Sequence, residues 1–88
     1  MERGPYNIEL DYRYIKQVRL VRNKTLSDFS KYMNVDSSTI AKLEKNEITF
    51  SPYYDSKLRD AIYRLRVSDV ELNSIAKILE IKAMRGYK

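Results

Sequence analysis

The chain has 88 residues, enough for one small domain and too few for a second. It contains no cysteine and no histidine, which excludes a disulfide framework, a thiolate metal site and the commonest general base. Lys and Arg total 17 against 12 Asp and Glu, a net charge of +5, and this balance favours a polyanionic partner.

Residues 1–10 read as a flexible arm, because Gly4-Pro5 blocks a helix there. This N-terminus has no signal-peptide pattern, and no apolar run approaches the roughly 18 residues of a membrane span. A cytoplasmic protein without a membrane partner is therefore expected. From about residue 12 to 23 the pattern turns helical, with Asp11 as a cap and Ile15, Val18 and Arg22 at helical spacing. Ile15 and Val18 are expected inside, and Leu20 and Val21 widen the apolar face. Asn23 ends this helix, since Asn tolerates the left-handed backbone that follows a C-terminus.

Thr25 starts a second helix, with Asp28 three residues on in a capping-box-like pattern. Phe29 and Met33 form its inward pair, and Asn34 breaks it. Asp36 caps a third helix over residues 37–45, with Ile40 and Leu43 inward. Its other face carries Ser37, Ser38, Ala41, Lys42 and Lys45. Ser51 followed by Pro52 starts a fourth helix, running to about residue 66 with Tyr54, Leu58, Ala61, Ile62 and Leu65 as one stripe. Ser68 with Glu71 is a true capping box and opens a fifth helix.

That last helix is apolar over more than half its circumference, more than one small core needs. Leu72, Ile75, Ile78 and Leu79 are accordingly read as a face that a second copy completes, giving a homodimer. The fold class is all-α, with five helices. Residues 11–66 form the main domain, and residues 67–88 are a C-terminal helix and tail of the same domain, available for dimerisation.

The stretch from Thr25 to Asn46 is the organising unit. Two short helices meet across a tight turn, and their close crossing needs a small residue, which Ser30 supplies. Asn34 suits the positive φ of the turn, and Val35 plugs the angle. The second of these helices opens with Asp36-Ser37-Ser38-Thr39. Its exposed amides and three hydroxyls suit phosphate oxygens and base edges.

These residues resemble the Cro/cI-type (Xre-like) helix-turn-helix family of phage and bacterial repressors. The resemblance rests on Arg19; on Thr25, Phe29, Ser30, Met33, Asn34 and Val35; and on Asp36, Thr39, Ile40, Ala41, Leu43, Glu44 and Asn46 in matching register. It implies a lambda-repressor-like helix-turn-helix domain that binds double-stranded DNA. It implies a structural ion pair between Arg19 and Glu44. It implies base-reading positions at Ser37, Ser38 and Lys42, with Thr39 and Ala41 close to the groove. Thr25, Lys45 and Asn46 would complete the DNA-binding set. Two positions depart from the pattern: Leu26 stands where the family has a phosphate-anchoring Gln, and Glu47 where it has a cation.

The function expected is a sequence-specific transcriptional regulator, a repressor, with the helix over residues 37–45 in the major groove. The alternative is a protein-interaction module on the same scaffold, a phage or plasmid accessory factor with a protein partner, and Leu26 and Glu47 favour it. An enzyme is not expected: the carboxylates Asp55, Asp60 and Asp69 are scattered beside Lys or Arg, and nothing forms a nucleophile–base pair. No metal or cofactor is expected. The eight tyrosines, with Tyr53, Tyr54 and Tyr63 on the fourth helix, read as packing and interface surface.

Overall fold

The computed structural model describes residues 8–85. It is all-α: α1 (Arg13–Val21), α2 (Leu26–Met33), α3 (Ser37–Glu44), α4 (Pro52–Arg64) and α5 (Asp69–Met84). Each start follows from a local signal. The Asp11 carboxylate accepts the Arg13 amide at 2.9 Å. Thr25 with Asp28, and Ser68 with Glu71, close reciprocal capping boxes at the starts of α2 and α5. Pro52 occupies the first turn of α4, although the Ser51 side chain makes no capping bond.

The ends of α1 to α4 share one device. Asn23, Asn34, Asn46 and Arg66 each adopt a left-handed backbone, with φ of 55°, 56°, 61° and 56°. The next amide in each case donates to the carbonyl five residues back: Lys24 to Arg19, Val35 to Ser30, Glu47 to Lys42 and Val67 to Ile62. Asn makes this conformation inexpensive. Arg66 has no such excuse, because a β-carbon there costs about 1–2 kcal/mol. It is held from both sides. Val67 is buried, and the Arg66 carbonyl accepts from Arg22 Nη2 at 2.9 Å.

One core joins all five helices. Ile15 and Val18 (α1), Phe29 and Met33 (α2), Ile40 and Leu43 (α3), and Leu58 and Ile62 (α4) are fully enclosed, as expected from their spacing. Three assignments change. Leu10 is buried and Ile8 packs on the core, while the Ile8 carbonyl accepts from Arg59 Nη2 at 2.9 Å. Residues 8–10 of the expected arm over residues 1–10 therefore belong to the packed domain, and residues 1–7 lie outside the described residues. Tyr14 joins the core, whereas Leu20 and Val21 stay exposed.

The third change concerns α5. Leu72, Ile75 and Leu79 are enclosed by the chain's own core and present no face to a second copy. Of the four residues expected at a dimer interface, only Ile78 is exposed, beside Val70 and Ile81. The reason is geometric: α5 packs against α1, and its i, i+3, i+7 stripe is the one that fills that contact.

A second tie fixes α1 to the α4–α5 turn. Arg22 donates to the Leu65 carbonyl at 2.9 Å and forms a bidentate pair with Glu71 at 2.7 and 2.8 Å. Glu71 also accepts the Ser68 amide. The Arg22 guanidinium, then that amide, hold the Glu71 carboxyl down at about 2.

Candidate nucleic-acid interface

The α2–α3 unit is built as its residue types require. Thr25 Oγ1 accepts the Asp28 amide at 3.0 Å, while the return bond from the Thr25 amide to Asp28 is long, 3.4 Å. Asp is one methylene short of the Glu that usually closes this ring. Ser30 is half-buried and donates to the Ser27 carbonyl at 2.6 Å. The left-handed Asn34 then turns the chain, and Val35 packs against the core. Ile40 and Leu43 anchor α3 from below, so its opposite side faces outward.

The far end of α3 is clamped to α1. Arg19 Nε and Nη2 donate to the two Glu44 oxygens at 2.9 and 3.1 Å, and Arg19 Nη1 donates to the Lys24 carbonyl at 3.2 Å. These side chains are only 14% and 10% exposed. One pair thus joins α1, the loop before α2 and the last residue of α3. A bidentate, mostly desolvated pair fixes orientation as well as distance.

On the outward side, Ser38, Lys42, Lys45 and Asn46 are exposed, Ser37, Thr39 and Ala41 are half-buried, and Thr25 is exposed at the start of α2. Lys45 is the C-terminal cap and Asn46 follows it in the left-handed turn, so α3 ends one residue earlier than expected. Lys31 on α2 adds another exposed cation.

The N-terminus of α3 differs from expectation. The Asp36 carboxylate accepts the Ser38 amide at 3.2 Å and also the Ser38 hydroxyl. The Ser38 hydroxyl is the first cause that lowers the Asp36 pKa, followed by backbone amides and the Lys42 charge, so this carboxylate is firmly ionised. The anion position that a free helix N-terminus offers is occupied by the chain's own carboxylate. Ser38 is already donating to it. The groups left for an external anion or base edge are the Ser37 and Thr39 hydroxyls and, above all, Lys42 and Lys45. The signal for this was present in the Asp-x-Ser spacing, which favours a local side-chain ring at a helix start.

Leu26 packs on the core, which explains why an apolar residue stands at that position. Glu47 is exposed next to Asn46. The charges divide by type. The ion pairs among the described residues take their cations from Arg13, Arg19, Arg22, Arg59 and Arg64. Lysine takes no part in them, although Lys24 and Lys57 lie over the rings of Tyr32 and Tyr53.

The tyrosines divide as well: Tyr14 is core, Tyr53 packs edge-on against Tyr54, and Tyr53 and Tyr63 are largely exposed. Among the described residues no cluster of potential metal ligands occurs, and no helix is long and apolar enough to cross a membrane. No protein-family model matches this chain, and no match is found among curated proteins or solved structures.

Proposed function

We propose that the protein is a sequence-specific DNA-binding regulator, a repressor of the Cro/cI-like helix-turn-helix kind, with α3 in the major groove. The observation that carries this reading is α3 itself. It is anchored by Ile40 and Leu43, clamped by Arg19 at Glu44, and carries Lys42 and Lys45 outward with no ion-pair partner among the described residues. Lys42 donates to guanine O6 and N7 in this reading, a contact that contributes about 1–3 kcal/mol of discrimination. Ser37 and Thr39 add hydroxyl contacts, and Lys45, Asn46 and Thr25 face the phosphates.

The domain measures 33 × 29 × 25 Å. Two copies side by side would present their α3 helices about one DNA turn, roughly 34 Å, apart. We place the two-fold contact on the exposed side of α5, at Val70, Ile78 and Ile81, in place of the enclosed Leu72, Ile75 and Leu79.

Selection of bound duplexes from a random pool tests this. Enrichment of a palindrome with half-sites about ten base pairs apart, with steep salt dependence, is the expected result. No enrichment, and no binding at low salt, would sink it. The second reading, a protein-interaction module, draws support from Asp36, Leu26 and Glu47, which together remove three phosphate-anchoring positions. Under that reading the same outward face of α3, with Lys42 and Lys45, meets an acidic or polar protein surface, and DNA is not retained.

A further inference from the structure

A cleft of about 170 Å³ lies on the side of the domain where α1 meets the second half of α5. Tyr12 and the α1 residues Arg13, Lys16 and Gln17 line it on one side, Leu79, Lys82 and Ala83 of α5 on the other, together with Glu44 of α3. Two of the charges are already balanced. Arg13 is held by Asp11 at 2.7 Å, and Glu44 by Arg19. The other two, Lys16 and Lys82, have no ion-pair partner among the described residues, and neither the Tyr12 hydroxyl nor the Gln17 amide makes a side-chain hydrogen bond there. Leu79, Ala83 and the Tyr12 ring supply its apolar lining. The space is well below the roughly 300–1,000 Å³ of a drug-sized pocket, so the occupant is small.

We infer that this cleft binds a small organic anion, a phosphate monoester or carboxylate carrying a compact apolar group. The anionic end sits between Lys16 and Lys82, which form charge-assisted bonds with it, and the apolar end lies on Leu79 and Ala83. Inorganic anions satisfy only the first half of this site, and neutral aromatics only the second. Glu44 makes the site more than a surface feature. It is the last residue of α3, so a second anion beside its carboxylate repels it and shifts the Arg19–Glu44 clamp. This regulatory consequence rests on the DNA-binding reading, whereas the anion site does not.

The probe is phenyl phosphate, titrated into the full chain and followed by amide and arginine Nε–H resonances. Saturable shifts confined to residues 12–17 and 79–83 are expected, with the Arg19 Nε–H moving in step. Lys16→Gln with Lys82→Gln should weaken binding at least tenfold while the circular dichroism melt is kept. Inorganic phosphate and benzyl alcohol should each bind at least tenfold more weakly than phenyl phosphate. Linear, unsaturable shifts, equal binding by the double variant, or equal binding of either control would overturn the site. A saturated cleft with an unmoved Arg19 resonance would overturn the coupling. Failure of the protein to bind DNA would count against the proposed function and leave the anion result standing.

Discussion

The α2–α3 unit and α5 are both helical and both rich in recognisable signals, yet they differ in what those signals specify. In the first, every feature is local: a cap at Thr25, a small Ser30, a left-handed Asn34, a cap at Asp36. Each fixes a backbone angle or an orphan amide within four residues, so the geometry follows from the order of residue types. In α5 the start is equally local, at the Ser68–Glu71 box. Its apolar residues run nearly all round, and which of them face inward depends on where α1 lies. Local rules define helix ends; only the tertiary contact selects a face.

Substitutions on α5 break this comparison most severely. Leu72→Ala should destabilise the domain by about 3 kcal/mol, since it opens a cavity in a fully enclosed position. Ile78→Asp, on the exposed side, should leave monomer stability within about 0.5 kcal/mol. Denaturant titrations of both variants check the pair, and sedimentation of the second reports on dimerisation. If Leu72→Ala proved neutral and Ile78→Asp unfolded the chain, the assignment of faces would be reversed.

The clamp on α3 comes next. Arg19→Ala leaves Glu44 desolvated without its partner, and a loss on the order of 3 kcal/mol is expected. For a domain of this size that lowers the melting temperature by roughly 15 °C. Hydrogen exchange should rise at the end of α3 before it rises in α4. A uniform rise would show that Arg19 supports the whole core and not this helix in particular.

Arg66 offers a smaller effect of opposite sign. Arg66→Asn relieves a left-handed backbone while keeping the Val67–Ile62 bond, and should stabilise by about 1 kcal/mol. A thermal melt decides; a lower midpoint would mean that the Arg66 side chain has a role the backbone argument omits.

The Arg22–Glu71 tie gives no pH dependence near neutrality, and its titration signature lies only in acid. Glu71 has a folded pKa of about 2, below its ordinary 4.5. Its contribution is therefore complete above about pH 4.5 and is lost as pH falls from there toward 2. Stability measured across this window should decline in the wild type and decline less in Arg22→Met. Equal slopes would remove Arg22 as the cause.

The helix starts, the left-handed Asn23 and Asn34, and the enclosed residues of α1 to α4 other than Tyr14 were legible because each depends on near neighbours. So was the register that brings Arg19 to Glu44, which the resemblance implied and the 2.9 Å contact now displays. The docking of residues 8–10 was not legible, because Ile8 is tied to α4 by Arg59, 51 positions away. Nor was Arg66, whose conformation survives through Arg22, a residue 44 positions earlier. At the candidate interface the outward face of α3 was readable from Ile40 and Leu43 alone. The state of its N-terminus was not, because Asp36 was read as a cap and its second role, accepting the Ser38 hydroxyl, engages the proton of that exposed group.

The central claim is that Lys42 on the outward face of α3 reads bases. Fluorescence anisotropy with a selected operator and with a scrambled duplex, for the wild type and Lys42→Ala, tests it most directly. A loss of at least tenfold on the operator and of no more than about threefold on the scrambled duplex is expected. Equal losses on both would make Lys42 a phosphate contact, and no loss on either would contradict the claim outright.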